Sequence, residues 1–233
     1  MKTIGLLGGM SWESTVSYYQ QINEGIKNRL GGLHSAKIVL YSVDFHEIEV
    51  LQRQGDWAAA GAALAQAGRS LEAAGADFLV ICTNTMHKVV PAIAAAINIP
   101  IVHIADATAA AIKAQGLQTV GLLGTQFTME QAFYKDRLTE QPGLNVLVPA
   151  AGDRAIIHRI IYDELCLGKI NPASRDAYLT IIQKLQQQGV EGIIAGCTEI
   201  TLLINPADLT IPLFDTTAIH AAATVEFALS DIS

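Results

Sequence analysis

Short runs of valine, isoleucine and leucine alternate along the chain with longer stretches whose apolar residues recur every three or four positions. Nearly continuous apolar runs of this length suit parallel strands buried on both faces. Eight are predicted: Thr3–Gly8, Lys37–Asp44, Asp77–Thr83 and Pro100–Ile104, then Thr119–Gly124, Leu144–Ala150, Glu191–Cys197 and Ile211–Asp215. Between them the spacing predicts helices. One is N-capped by Asp56, carries Trp57, Leu64 and Leu71 on one stripe, and stops at Gly75. Another opens at Pro172, where a first-turn proline is tolerated, and stops at Gly189. Alternating strand and helix predicts an α/β fold with parallel sheet.

The chain repeats itself. Thr3-Ile-Gly-Leu-Leu-Gly8 returns as Thr119-Val-Gly-Leu-Leu-Gly124, the Gly75–Thr83 segment returns as Gly189–Cys197, and Ile99-Pro100 returns as Ile211-Pro212. The three landmarks recur at nearly one offset. They predict two similar α/β domains, each a mostly parallel four-stranded sheet flanked by helices. The expected boundaries are residues 1–102 plus 210–233 for the first and 103–209 for the second, with the last helix packing back on the first half.

Composition narrows the function. Hydrophobic residues make up 51% and charged residues 16%, which is globular. Fifteen basic residues against 22 acidic ones give −7. That balance argues against nucleic acid or an anionic membrane as the main partner. It leaves a small anionic substrate open, since one arginine or lysine can set the sign of a pocket. The N-terminal stretch is apolar only from Ile4 to Met10 and reads as a strand, not a signal sequence. The longest apolar stretch, Val89 to Ile112, is broken by Pro91, Pro100, His103 and Asp106, so no bilayer span is expected. A cytoplasmic protein is the expectation. Cys82, Cys166 and Cys197 are odd in number and form no CxxC pair, which disfavours a disulfide framework or zinc site. His87 and His103 lack ligand partners at metal-binding spacing and read as structural.

In open α/β sheets, ligands bind beyond the carboxyl ends of the strands. Gly8-Gly9-Met10-Ser11, Thr83-Asn84-Thr85, Gly124–Thr128 and Cys197-Thr198-Glu199 all land there. The glycine loops match neither GxGxxG nor a Walker A loop. Their expected use is carboxylate capture by N–H groups of a loop entering a helix, against the plain alternative of a tight turn. Cys197 is the sharper signal. A thiol at a helix N-terminus is expected to have a lowered pKa, with Glu199 or the helix end tuning it. The repeat aligns Thr83 with Cys197 and Cys82 with Gly196. Strand alternation then turns Thr83 away from the layer that receives Cys82.

The residues Leu79-Val-Ile-Cys-Thr-Asn-Thr85 and Ile194-Ala-Gly-Cys-Thr-Glu199, with Gly8–Ser11 and Leu51–Trp57, resemble the paired signatures of the aspartate/glutamate racemase superfamily. The likeness spans nearly the whole chain. It is strongest to the broad-specificity or L-aspartate/glutamate-specific amino-acid racemases. It implies two pseudo-symmetric domains, an active site in the interdomain cleft, no cofactor, and one cysteine from each half on opposite faces of the substrate α-carbon. Here the chain departs from the family: Thr83 stands where the first cysteine belongs. The resemblance assigns Thr83 and Cys197 to catalysis. It assigns Met10, Gln52, Arg53, Asn84, Thr85, Thr125, Lys169, Thr198 and Glu199 to substrate binding. Arg53 and Lys169 would meet a dicarboxylate.

The expected reaction is racemisation of aspartate or glutamate, with Cys197 as the base on the L face and Thr83, or a water it holds, returning the proton. Two alternatives stand beside it. A single-thiol member of the superfamily, similar to arylmalonate decarboxylases, would use Cys197 only to protonate a decarboxylated malonate-like acid. A non-catalytic module would bind an amino acid without turnover. The expected partner is a small amino acid, with a homodimer as one open assembly.

Overall fold

The computed structural model describes residues 1–140 and 143–230, in two compact units. The first comprises Met1–Ile104 and the chain from His220 onward; the second is Ala105–Ile219.

The first unit runs β1 (Ile4–Gly8), α1 (Trp12–Leu30), β2 (Ile38–Ser42), α2 (Phe45–Gln54), α3 (Trp57–Ala73), β3 (Phe78–Ile81), α4 (Val90–Ala94) and β4 (Ile101–Val102). Its four strands are parallel in the order β2-β1-β3-β4. The second runs α5 (Ile104–Ala114), β5 (Thr119–Gly124), α6 (Gln126–Glu130), α7 (Ala132–Thr139), β6 (Asn145–Leu147), α8 (Ala151–Asp163), α9 (Pro172–Gln186), β7 (Gly192–Gly196), α10 (Ile200–Leu203) and β8 (Leu213–Asp215), followed by α11 (Thr216–Leu229). Its sheet, β6-β5-β7-β8, is again wholly parallel and repeats the first strand order.

All eight predicted strands are present, most of them shorter than the apolar runs suggest. Asp44 does not extend β2 but caps α2, its carboxylate accepting the His46 N–H at 3.0 Å. Ile104 opens α5 instead of closing β4. β3 and β7 stop at Ile81 and Gly196, so Thr83 and Cys197 stand just past the strand ends. The Asp56 cap forms, accepting the Ala59 N–H at 2.9 Å, and Gly75 follows α3 with a φ of 92°. The repeat extends to side chains. Asp77 accepts the Thr3 N–H at 2.6 Å, and Glu191 accepts the Thr119 N–H at 2.8 Å. Each acid, one strand along, thus anchors the start of its unit's first strand.

The second boundary differs from expectation. Residues 210–219 belong to the second unit, because β8 completes its sheet by pairing with β7. The first boundary falls at Ile104, not residue 102. The chain re-enters the first unit at His220, and α11 lays Ala221, Val225, Ala228 and Leu229 against Tyr18, Ile22 and Ile26 of α1 and Ile4, Phe78 and Val80 of the sheet. The other sheet face packs Leu7, Leu79 and Ile81 against Leu64, Ala67 and Leu71 of α3. The second core gathers Ile193, Ala195 and Leu123 with Ile157, Ile161, Tyr178 and Ile182.

Cys166 does not continue α8. The helix ends at Asp163, and the cysteine sits in a separate 3-10 turn, Leu165–Leu167, closed by Gly168 in the left-handed region.

Candidate active site

In the first unit two loops and the last turn of α2 gather at the carboxyl ends of β1 and β3. After β1 the chain turns at Gly9 with φ of 91°, and a Cβ there would meet the Val43 carbonyl oxygen at 2.3 Å. Gly8 is as crowded, its would-be Cβ lying 2.4 Å from Thr15 Cγ2. Met10 follows and is buried with Ile48 of α2 and Met86. Gln52, on the last turn of α2, reaches the same place: its Nε2 donates to Met86 Sδ at 2.8 Å. Thr83, Asn84 and Thr85 form the loop after β3, with Asn84 and Thr85 buried and Thr83 half-buried.

The sheet register relates the two halves residue by residue. β1 pairs Leu7 with Ile81, and β5 pairs Gly124 with Gly196. One step past Leu7–Ile81, Gly8 stands beside Cys82 as Gly124 stands beside Gly196. Thr83 therefore holds the place in its unit that Cys197 holds in the other. Cys82 is wholly buried in the α1–α11 face of the sheet, and burial pushes its thiol far up from the ordinary cysteine range.

In the second unit Thr125 caps α6, its hydroxyl accepting the Thr128 N–H at 3.3 Å, and it follows β5 as Cys197 follows the paired β7. The Cys197 thiol donates to Glu199 Oε2 at 2.9 Å, and the Thr198 hydroxyl donates to the same oxygen at 2.7 Å. Cys197 and Glu199 are buried and Thr198 half-buried. The close approach of strand ends requires glycine: a Cβ on Gly196 would lie 2.8 Å from the Leu123 carbonyl oxygen.

One expectation is corrected here. The Glu199 backbone N–H, at the N-cap of α10, does pull the thiol pKa down, but it is outweighed. Burial, first, and then the Glu199 carboxylate hold Cys197 well above the ordinary cysteine range. The resting group is a thiol hydrogen-bonded to a carboxylate. Two of the glycine-loop donors are engaged within their own units. Gly9 N–H donates to Thr15 Oγ1 at 2.8 Å, and Gln126 N–H donates to His158 Nδ1 at 3.2 Å. His158 carried no signal in the sequence, because it acts from α8, 32 residues beyond Gln126.

The two candidate cations lie outside these clusters. Arg53 is exposed, one turn along α2 from Glu49 at 3.9 Å. Lys169 is exposed just past Gly168, on a turn whose 3-10 segment packs against α10. Among the described residues no group of three or more histidines, cysteines or acids is placed to hold a metal ion, and no helix is long and apolar enough to cross a membrane.

Comparison with known proteins agrees with this architecture. Residues 7–224 match the family model for Asp/Glu/hydantoin racemases. A crystal structure from Yersinia pestis, described as a proposed Asp/Glu racemase, is 61% identical, covers 98% of this chain and 100% of its own, and superposes with a TM-score of 0.93. An aspartate racemase homologue from Pyrococcus horikoshii OT3 is 34% identical over 98% of this chain and 99% of its own, with a TM-score of 0.84. The broad-specificity amino-acid racemase RacX of Bacillus subtilis is 23% identical over 97% of this chain and 98% of its own length. Fold and relatives together define an isomerase, an amino-acid racemase of the kind that works without pyridoxal phosphate. The chain belongs to the Asp/Glu/hydantoin racemase family.

Proposed function

We propose that the chain racemises acidic amino acids by moving the α-proton with Cys197 on the L face and Thr83, or a water it holds, on the other. The observation that carries this reading is the buried Cys197 thiol donating to the Glu199 carboxylate at the carboxyl end of β7. A thiol cannot accept a proton, so the base must be made in place. Glu199 Oε2 takes the Sγ proton, and the thiolate then takes the α-proton of an L substrate. The carbanion is protonated on the opposite face at the Thr83 position, and solvent restores both groups. The reading requires one substrate to reach both loops. The equivalence of Thr83 and Cys197 in the two sheet registers supports it.

The acidic substrate class follows the names of the relatives and the two exposed cations, Arg53 and Lys169. Met10, Gln52, Asn84, Thr85, Thr125 and Thr198 then hold the amino acid at the strand ends. The burial of Cys82 favours a second reading, because only one thiol remains at the repeated position. A single-thiol decarboxylase of malonate-like acids would need no second base.

Exchange of the α-proton in heavy water, followed for L- and D-aspartate, glutamate, alanine and serine beside a malonate panel, separates the two. Cys197→Ser should lower exchange at the L centre by about 10⁴-fold or more, the upper end of what a general acid–base group contributes. Activity within tenfold of the parent would remove Cys197 from the chemistry. Carbon dioxide release without amino-acid exchange would select the decarboxylase.

A further inference from the structure

Behind the Thr83 loop lie three buried histidines that the proposed chemistry does not use. His87 sits between the rings of His103 and His220, with centroids 4.5 and 5.7 Å away. The partners fix the tautomers. Ile104 N–H can only donate, and it donates to His87 Nε2 at 3.3 Å. The His87 proton is therefore on Nδ1, which donates to the Thr83 carbonyl oxygen at 2.8 Å. The Val102 carbonyl can only accept, so His220 Nε2 donates to it at 2.8 Å, leaving Nδ1 to accept from the Tyr18 hydroxyl at 2.8 Å. Burial, with the neighbouring rings, keeps His87 well below its ordinary range and lowers His220 to about 4, so both stay neutral at physiological pH.

These bonds converge on one backbone unit. Thr83 N–H donates to the Ile81 carbonyl at 2.9 Å, and the Thr83 carbonyl accepts from His87. The His87 backbone N–H also donates to the Asn84 carbonyl at 3.1 Å. Both polar groups of the Thr83 main chain are thus tied, which fixes the direction of its Cα–Cβ bond and so the staggered positions open to the hydroxyl. The same ring grips Ile104, the last residue of the unit before the chain leaves it, and His220, the first after its return, grips Val102.

We propose that His87 is a positioning residue: its Nδ1–H, bonded to the Thr83 carbonyl, aims the Thr83 hydroxyl for proton transfer on the D side. The inference rests on the racemase reading for its kinetic consequence. A misplacement of about 1 Å costs on the order of 10²-fold in rate. Asparagine can place Nδ2 where His87 has Nδ1 and keep the donor to Thr83. Glutamine can place Oε1 where Nε2 was and keep the acceptor for Ile104, but it has no donor at the Nδ1 place.

The test compares His87→Asn, His87→Gln and His87→Leu for α-proton exchange from both enantiomers of aspartate in heavy water. Amide hydrogen exchange at Thr83 is measured on the same proteins. His87→Gln and His87→Leu should lose D-side exchange by about 10²-fold while L-side exchange through Cys197 stays within a few-fold. His87→Asn should recover D-side exchange to within tenfold of the parent. Thr83 amide protection should follow the same order, and it reads the clamp even where turnover is absent. Equal losses from both enantiomers, or matching behaviour of the asparagine and glutamine variants in rate and protection, would overturn the proposal. Since that comparison needs only those two proteins, a misfolded leucine variant does not blunt it. If Thr83→Val leaves D-side exchange intact while Thr83 protection still follows the donor, the clamp stands and the assigned role of Thr83 falls.

Discussion

Cys197 and Glu199 share one proton across 2.9 Å, thiol donating to carboxylate, inside a buried loop. A negative group beside a thiol disfavours a second negative charge there, and burial adds to the penalty. The same carboxylate that suppresses the thiolate at rest is the only acceptor described for its proton.

Glu199→Gln separates these two effects. An amide still accepts the Sγ–H bond but removes the charge, so the Cys197 pKa should fall toward its ordinary value. Each pKa unit regained raises the thiolate fraction at neutral pH about tenfold. Alkylation of Cys197 by iodoacetamide should therefore speed up, while racemisation slows by about 10²-fold or more because the proton acceptor is gone. Faster alkylation with faster turnover would mean that Glu199 only hinders the thiol.

Arg53 and Lys169 are exposed, and that shapes what their loss should do. On the proposed reading each swings onto a substrate carboxylate, Arg53 leaving Glu49 to do so. Arg53→Met and Lys169→Met should each weaken kcat/KM for aspartate and glutamate more than for alanine and serine, with little change in thermal stability. A charge-assisted pair broken on one side costs about 2–5 kcal/mol when buried; for residues that begin in solvent the lower end is expected. Equal losses across all four substrates would assign the residue to the α-carboxylate or to general steering.

Thr83→Cys puts a thiol at both of the repeated positions, the pattern that the resemblance implies. Racemisation at one centre has an equilibrium constant of unity, so kcat/KM must match in the two directions for any variant. The difference lies in exchange. On the proposed chemistry, Cys197 lifts and returns the proton of an L substrate without inversion when threonine is present, whereas a D substrate meets a weak base. The cysteine variant should raise D-side wash-in and inversion together, with modest strain because the volume change is small. Cys82→Ala should leave both unchanged, since that side chain packs among Tyr18, Val80 and Val225. A loss of D-side exchange in Cys82→Ala would make Cys82 the second base.

Gly9→Ala should destabilise the first unit. The position has φ of 91°, and its Cβ would clash with the Val43 carbonyl. Backbone strain of this kind costs about 1–3 kcal/mol, read as a lower midpoint in urea. An unchanged midpoint would mean that the Gly8–Ser11 turn relaxes freely.

The parallel strands were legible because each is a run of branched apolar residues between turn signals, and the repeat fixed their number. Helix α1 is not legible in the same way: Trp12, Val16 and Tyr19 lie on its exposed face and blur the stripe that Tyr18, Ile22 and Ile26 make toward the core. The Thr83–Cys197 equivalence could be read from the repeat, because register is a property of sequence spacing. The charge state of Cys197 could not, since it depends on burial and on which way Glu199 turns. The histidine trio was invisible for a similar reason: His87, His103 and His220 come from three segments that only the folded unit brings together.

The part of helix α11 from His220 onward follows the whole second unit in the chain, yet it belongs to the first unit. On the ribosome, every residue of the second unit precedes it, so the second sheet can finish first. Meanwhile Tyr18, Ile22, Ile26 and the Phe78–Val80 face wait uncovered, and so does the Tyr18 hydroxyl that will meet His220. Apolar surface exposed in this way invites aggregation and chaperone capture during synthesis. Assembly of the Thr83 side therefore waits on a segment made after the whole second unit, and the first domain becomes a finished body only when that closing helix arrives.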